Sequence, residues 1–397
     1  MKVLFVHDHP FYNLNSEFYS PGRFTKSTWS RYLDTEMISE LNVVSRGIKI
    51  SEAHQGLVKS SVEKVRFDPL YHIKGGIDYY RYAKDIKAHL RKHIEIADII
   101  IIRVPSTFGS YAYEICNQLN KPYITEVVGC SWDSSWNYGN LLGKMYAPLS
   151  YIKNKNLIKN SLATLYVTER FLQKRYPTEA FITAHASNVH IPSPEITVLN
   201  KHLERLENIS SSHVFKLGIL ANIAVKYKGY DVAMEALHQL KARRPELKFQ
   251  FIIAGGGAPE YVNSLITQYG MEKEVKLLGQ LASGNDVFNY LDDLDVYLHP
   301  SKQEGLPRSV IEAMSRGCPV LASSIAGIPE LLKVDFLHKP GDSKKLSKDI
   351  ESLITDKKLR IKTAKENFEK SKEYSDEILS QRRLSFYKRA FKIIESK

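Results

Sequence analysis

Two carboxylates separated by seven residues, Glu304 and Glu312, stand in the segment His299-Pro-Ser-Lys-Gln-Glu304-Gly-Leu-Pro307-Arg-Ser-Val-Ile-Glu312. A strand is expected to end at His299 and a helix to start near Pro307, because proline suits the first turn of a helix. Both carboxylates then gather at the helix N-terminus, over the carboxyl end of a strand. Free backbone N–H groups and partial positive charge at that terminus suit a diphosphate. Carboxylates repel phosphate, but they accept hydrogen bonds from the hydroxyls of a ribose or hexose. Together the groups read as a cradle for a nucleotide sugar. For an isolated pair of glutamates the plainer alternative is a capping Glu304 and a solvated Glu312.

Other residues could do chemistry in the first half. Gly129-Cys-Ser-Trp132-Asp133-Ser-Ser-Trp136 follows an expected strand. Aromatic rings stack on pyranose faces, and a carboxylate between them accepts hydroxyl bonds, so Trp132 and Trp136 are candidate acceptor contacts. Asp133 is a candidate contact or base; ordinary packing is the alternative for both tryptophans. Arg103 ends the most apolar run and is a further acceptor candidate. His7-Asp8-His9 looks metal-like, but neighbours on a strand point to opposite faces and chelate poorly. No Asp-x-Asp motif, no Walker A and no G-x-G-x-x-G after the first strand is found. A metal-dependent transferase, an ordinary ATPase and a nicotinamide enzyme are disfavoured accordingly.

These residues need strand ends to carry them. Apolar runs at 2–6, 41–45, 97–104, 122–128, 162–167 and 180–184 alternate with helical stretches, among them 78–93 and 110–119. Continuous apolar runs are how strands covered on both faces read in a parallel sheet. After a proline-bearing stretch the alternation restarts, with strands at 215–220, 248–254, 275–278, 295–299, 319–322 and 335–337. Two such arrays mean two doubly wound α/β domains, expected at 1–190 and 213–374. A linker is expected at 191–212, and a helix at 375–397 crossing back to the first domain. With 397 residues, little is left for a third domain.

Net charge is +12, which points to a polyanionic partner. The stretch 144–175 carries seven basic residues against Glu169 alone, interleaved with apolar ones. An anionic membrane surface is the expected partner there, a solvated basic face the alternative. Three cysteines without C-x-x-C spacing, no secretory signal and no apolar run of ~20 residues fit a cytoplasmic protein, at most peripheral on the inner membrane face.

The frame around the two glutamates, P-S-x-x-E-G-L-P-x-x-x-I-E-A-M-x-x-G-x-P-V, resembles the Glu-x(7)-Glu signature of glycosyltransferase family 4. Ala326-Gly-Ile-Pro-Glu330, Ala254-Gly-Gly-Gly257, Lys228-Gly-Tyr-Asp231 and Lys339-Pro-Gly-Asp342 resemble further family segments, in family order. The resemblance implies a retaining enzyme of GT-B architecture, two Rossmann-like domains with the site between them. It implies that Glu304 contacts the transferred sugar and Glu312 the ribose, and that the amides of Gly305 and Leu306 approach the donor. Lys228 would bind the diphosphate, with Gly255 and Gly256 in the strand-end loop. Gly22 and Arg23 would lie near the donor phosphate. An arginine the family usually carries ahead of the lysine is replaced here by Asn222 or a neighbour, with Lys226 a poorly spaced substitute. The acceptor candidates Asp133, Trp132, Trp136 and Arg103 lie on the side the family uses for acceptors.

The expected reaction is transfer of a sugar from a UDP- or GDP-sugar to a hydroxyl of a glycan or lipid-linked glycan, in cell-surface polysaccharide biosynthesis. Neither a metal nor another cofactor is expected, and no nucleic acid. The alternatives are a non-catalytic GT-B-like protein binding a membrane surface or nucleic acid, or a nucleotide-sugar epimerase.

Overall fold

A computed structural model describes residues 1–22, 24–52, 56–136, 141–210, 212–282 and 284–396. The chain divides into two compact units, Met1–Ala186 with Ser380–Lys397, and Ser187–Leu379.

The first unit is built on β1 (Lys2–Leu14), β2 (Glu17–Ser20), β3 (Glu40–Lys49), β4 (Val58–Lys59), β5 (Val65–Phe67), β6 (Ile99–Val104), β7 (Tyr123–Val127), β8 (Ala163–Tyr166) and β9 (Ile182–His185). β5, β3, β1, β6, β7, β8 and β9 pair in parallel in that order, while β2 and β4 join antiparallel. Ile99, Ile100, Ile101 and Ile102 are fully buried, as a central strand covered on both faces requires. The helix Ala83–Ile96 contributes Ile86, Leu90 and Ile94 to the core, four residues apart on one face.

β1 runs past the expected end at residue 6. Its pairing with β3 breaks register between Val6 and Pro10, then resumes and leads into the turn to β2. Gly22 therefore follows a hairpin rather than the first strand. Arg23 lies outside the described residues. Asp8, within the irregular stretch, accepts from Ser106 Oγ at 2.8 Å, Thr107 N at 2.6 Å and Phe108 N at 2.8 Å. It serves the free amides at the start of the helix Thr107–Leu119. Burial raises its pKa against those bonds. His9 meets Ser20 Oγ at 2.8 Å, so the His7-Asp8-His9 triplet is divided between different partners.

The second unit carries β10 (Phe215–Leu220), β11 (Phe249–Ala254), β12 (Val275–Gly279), β13 (Val296–His299), β14 (Val320–Ser323) and β15 (Leu337–His338). Their order is β12-β11-β10-β13-β14-β15, all parallel, which is the doubly wound arrangement. Its strand order reverses between β10 and β13, the kind of switch point at whose carboxyl ends open α/β sheets hold ligands.

The expected linker at 191–212 is corrected. It contains the helix Ile196–Glu207, with Leu199, His202 and Leu206 buried. Its prolines precede the helix, and this apolar face, not a Pro- and Ser-rich composition, decides the structure. Gly317, at φ +71°, leaves room for it: a Cβ there would lie 2.8 Å from Leu199 Cδ1. The last helix is Asp376–Glu395, and from Ser380 onward the chain belongs to the first unit.

Candidate active site

Glu304 lies in the loop between β13 and the helix Arg308–Ser315. Its Oε1 accepts from Lys228 Nζ at 2.7 Å and stands 2.9 Å from His299 Nε2. Burial opposes the charge on Glu304. The neighbouring Lys228 and His299 outweigh it and hold the carboxyl down at about 2. A carboxyl whose pKa is held down thus sits against Lys228 at the carboxyl end of β13.

Backbone approach brings Lys228 there. The turn Lys226–Lys228 is tied to the loop after β13: Lys302 N donates to Tyr227 O at 2.7 Å, and Ser301 Oγ donates to the same oxygen at 3.1 Å. Gly229 follows at φ +80°, and a Cβ on it would lie 2.0 Å from Pro300 O. Only glycine permits that contact without displacement. Lys302 Nζ and Asp231 Oδ2, 2.5 Å apart, close the same corner.

Glu312 is half-buried on the helix Arg308–Ser315. Burial raises its pKa, and Arg308 only partly opposes this. The two glutamates are therefore pushed in opposite directions, so they suit different tasks. Pro307 is the residue before the helix, and among the described residues no side chain caps that N-terminus. Gly305 and Leu306 occupy the bend between the two glutamates, and Gly305 O accepts from Gly327 N at 2.9 Å.

The strand-end loops after β10 and β11 interlock. Ile223 N donates to Gly256 O at 3.0 Å, and Gly255 N to Gly279 O at 2.8 Å. A Cβ on Gly255 would lie 1.7 Å from Ala221 O. Asn222 Oδ1 accepts from Ala224 N at 3.0 Å, so its carbonyl shapes the turn. Lys226 Nζ stands over the Tyr261 ring, 5.4 Å from its centroid. His299, Asp231 and Lys302 were missing from the sequence-based set. The only local signal for His299 was its place at a strand's carboxyl end.

The first-unit candidates have other partners. Trp132 and Trp136 stack on each other, 5.6 Å between centroids at 13°, and Trp132 meets Tyr151 edge-on. Asp133 Oδ1 stands 3.9 Å from Arg175 Nη2. Arg103 pairs with buried Glu126 and lies over the Phe24 ring. Glu126 also accepts from Tyr32 Oη at 2.6 Å and from Tyr387 Oη.

Two doubly wound units, with a lysine–carboxylate pair and glycine loops at the strand ends of the second, make up the α/β architecture of the chain. The family model of glycosyl transferases group 1 matches residues 216–370. Protein CapJ of Staphylococcus aureus is 31% identical over 368 residues, covering 92% of this chain and 90% of CapJ. The chain belongs to the group 1 glycosyltransferase family. An N,N'-diacetylbacillosaminyl-diphospho-undecaprenol alpha-1,3-N-acetylgalactosaminyltransferase of Campylobacter jejuni is 28% identical over 179 residues, 43% of each chain. HepE of Anabaena, solved with UDP and glucose, shares the fold with a TM-score of 0.63 at 18% identity, over 100% of both chains.

Proposed function

We propose that the protein transfers a sugar, with retention of configuration, from a UDP- or GDP-sugar to a hydroxyl of a glycan or lipid-linked glycan. The Lys228–Glu304–His299 cluster carries this reading. Lys228 would neutralise charge developing on the departing diphosphate, together with amides at the start of the helix Arg308–Ser315. Glu304 would accept from hydroxyls of the transferred sugar, and the more easily protonated Glu312 from the ribose. No metal or other cofactor is assigned a step. HepE, solved with UDP and glucose, supports the donor class, and the undecaprenol-linked substrate in the Campylobacter relative's name supports the acceptor class. Asp133, Trp132 and Trp136 remain the candidates on the acceptor side.

Glu312→Ala is expected to weaken donor binding about tenfold or more, since one hydrogen bond to a charged group is lost. UDP and GDP titrations by calorimetry read this directly. Unchanged affinity for both nucleotides and for a panel of their sugars would remove Glu312 from the site. A protein that binds none of these donors, yet binds nucleic acid, would overturn the enzyme reading. Donor isomerisation without acceptor would favour the epimerase.

Among the described residues no helix is long and apolar enough to cross a membrane. The helix Leu141–Lys159 nevertheless exposes Met145 (71%), Leu149 (49%) and Ile152 (54%), at spacings of four and three residues. Lys144 and Lys155 are exposed on the same helix. This combination supports peripheral contact with an anionic, cytoplasmic-side membrane carrying the acceptor lipid. Lys159 is 3.1 Å from Glu179 and Lys153 is 3.9 Å from Glu114, so those charges are partly offset. Lys144→Glu with Lys155→Glu is therefore the sharper test. Partition onto phosphatidylglycerol vesicles should fall by about tenfold or more, each lysine contributing ~1 kcal/mol at such a surface. Activity on a soluble acceptor should persist; equal vesicle binding by the variant rejects the membrane role.

A further inference from the structure

Away from the donor site, the first unit gathers three ligand-type side chains from two elements. Asp68 immediately follows β5, and its backbone N–H donates to Val43 O at 2.9 Å, which fixes its place. His89 and His93 lie four residues apart on the helix Ala83–Ile96, so one turn brings both imidazoles to one face. That helix is anchored by Ile86, Leu90 and Ile94, which leaves the histidines on its flank.

Both rings converge on a single carboxylate oxygen. His93 Nε2 is 2.8 Å from Asp68 Oδ2, and His89 Nε2 is 3.5 Å from the same atom. His89 Nε2 is also 3.2 Å from the Asp68 carbonyl oxygen. One ligand atom of each residue lies within 4.8 Å of the others. A tetrahedral zinc with bonds of ~2.0–2.2 Å separates its ligand atoms by about 3.4 Å. The His89 pair already stands near that separation, and the His93 pair needs to open by about 0.6 Å. Asp68 is 54% exposed while His89 and His93 are 20% and 17%, so an ion has an entry path and room for a water.

We propose that Asp68, His89 and His93 bind one divalent transition-metal ion of the zinc class. Two imidazole nitrogens and one carboxylate favour zinc over magnesium or calcium, which take all-oxygen shells. The H-x-x-x-H spacing is that of helical zinc ligands. Leu90, Arg91 and Lys92 fill the interval, so the glutamate base of a metallopeptidase is not among them. The ion would join the chain after β5 to the helix Ala83–Ile96, as a staple inside the first unit.

The test uses the untagged 397-residue chain, stripped with chelator and titrated with zinc chloride, with magnesium chloride as control. Expected are a single zinc per chain by calorimetry, a rise in Tm with zinc alone, and visible ligand-field absorption with cobalt(II). His89→Ala/His93→Ala should lower zinc affinity about tenfold or more and abolish the cobalt bands. Asp68→Asn keeps the shape and should weaken zinc in the same direction, which guards against a misfolded double variant. No zinc binding at micromolar concentration, or zinc binding unchanged in these variants, overturns the proposal.

Discussion

Replacing Glu304 with alanine should reduce kcat by about 10²–10³-fold, the usual loss when one preorganised electrostatic group is removed. Three features set this size. The carboxylate is nearly buried, with 10% of its side chain exposed, and Lys228 and His299 both address its Oε1. Its removal frees Lys228 from a fixed position at the strand end. Donor affinity should change less than turnover, because Lys228 and the helix amides remain. Steady-state kinetics with varied donor separate the two effects, and a variant with near wild-type kcat would reject the assignment. An acid-stability signature should accompany the kinetic one. The carboxyl's folded value of about 2 lies below its ordinary 4.5. Its stabilisation is therefore complete above the ordinary value and is lost as pH falls through about 2. Urea melts of Glu304→Ala should show a shallower dependence of stability on pH across that window than the parent does.

The second large effect is on stability, at Glu126. This residue on β7 is 4% exposed and serves Arg103, Tyr32 and Tyr387 together. Burial opposes its charge, but the Arg103 guanidinium, the two hydroxyls and Arg31 hold its pKa below the ordinary value. Arg31 and Arg383 lie in the same surroundings, and burial lowers both. Glu126→Gln keeps the shape and removes the only carboxylate among these named groups. Breaking one side of a buried pair costs about 3–5 kcal/mol, because the remaining charge stays desolvated. For a unit of this size that corresponds to a fall in Tm on the order of 10 °C. Calorimetry of the intact chain measures it. Arg103→Met combined with Glu126→Gln should cost less than the two single changes added, since one stranded cation is removed. Additive losses would show that the two side chains do not act as a pair.

Much of the architecture was legible in local pattern. The run of isoleucines at 99–102 specified a strand buried on both faces, and the restart of alternation after residue 212 specified a second sheet. The strand-end placement of Glu304, Lys228 and the glycines at 255 and 256 was legible because they sit on short segments whose spacing fixes them there. The helix Ile196–Glu207 was masked by flanking prolines and serines, although its Leu199, His202 and Leu206 keep a helical face. The length of β1 was hidden by the polar stretch His7–Pro10, where a register break absorbs residues that do not fit a regular strand.

The sequence by itself determined the two α/β units, the family and the residue types at the strand ends of the second unit, because hydrophobic period, turn glycines and motif spacing act over a few residues. Tertiary structure alone decided which charges meet. Lys228 and Glu304 are 76 residues apart, and Tyr387 reaches Glu126 across 261. Strand order and close backbone approach, such as that of Gly229 to Pro300, set those encounters, and no local period encodes them. For the same reason Arg103, read from sequence as an acceptor contact, is instead a largely buried partner of Glu126. His299, read from sequence only as a strand terminus, likewise becomes a neighbour of Glu304.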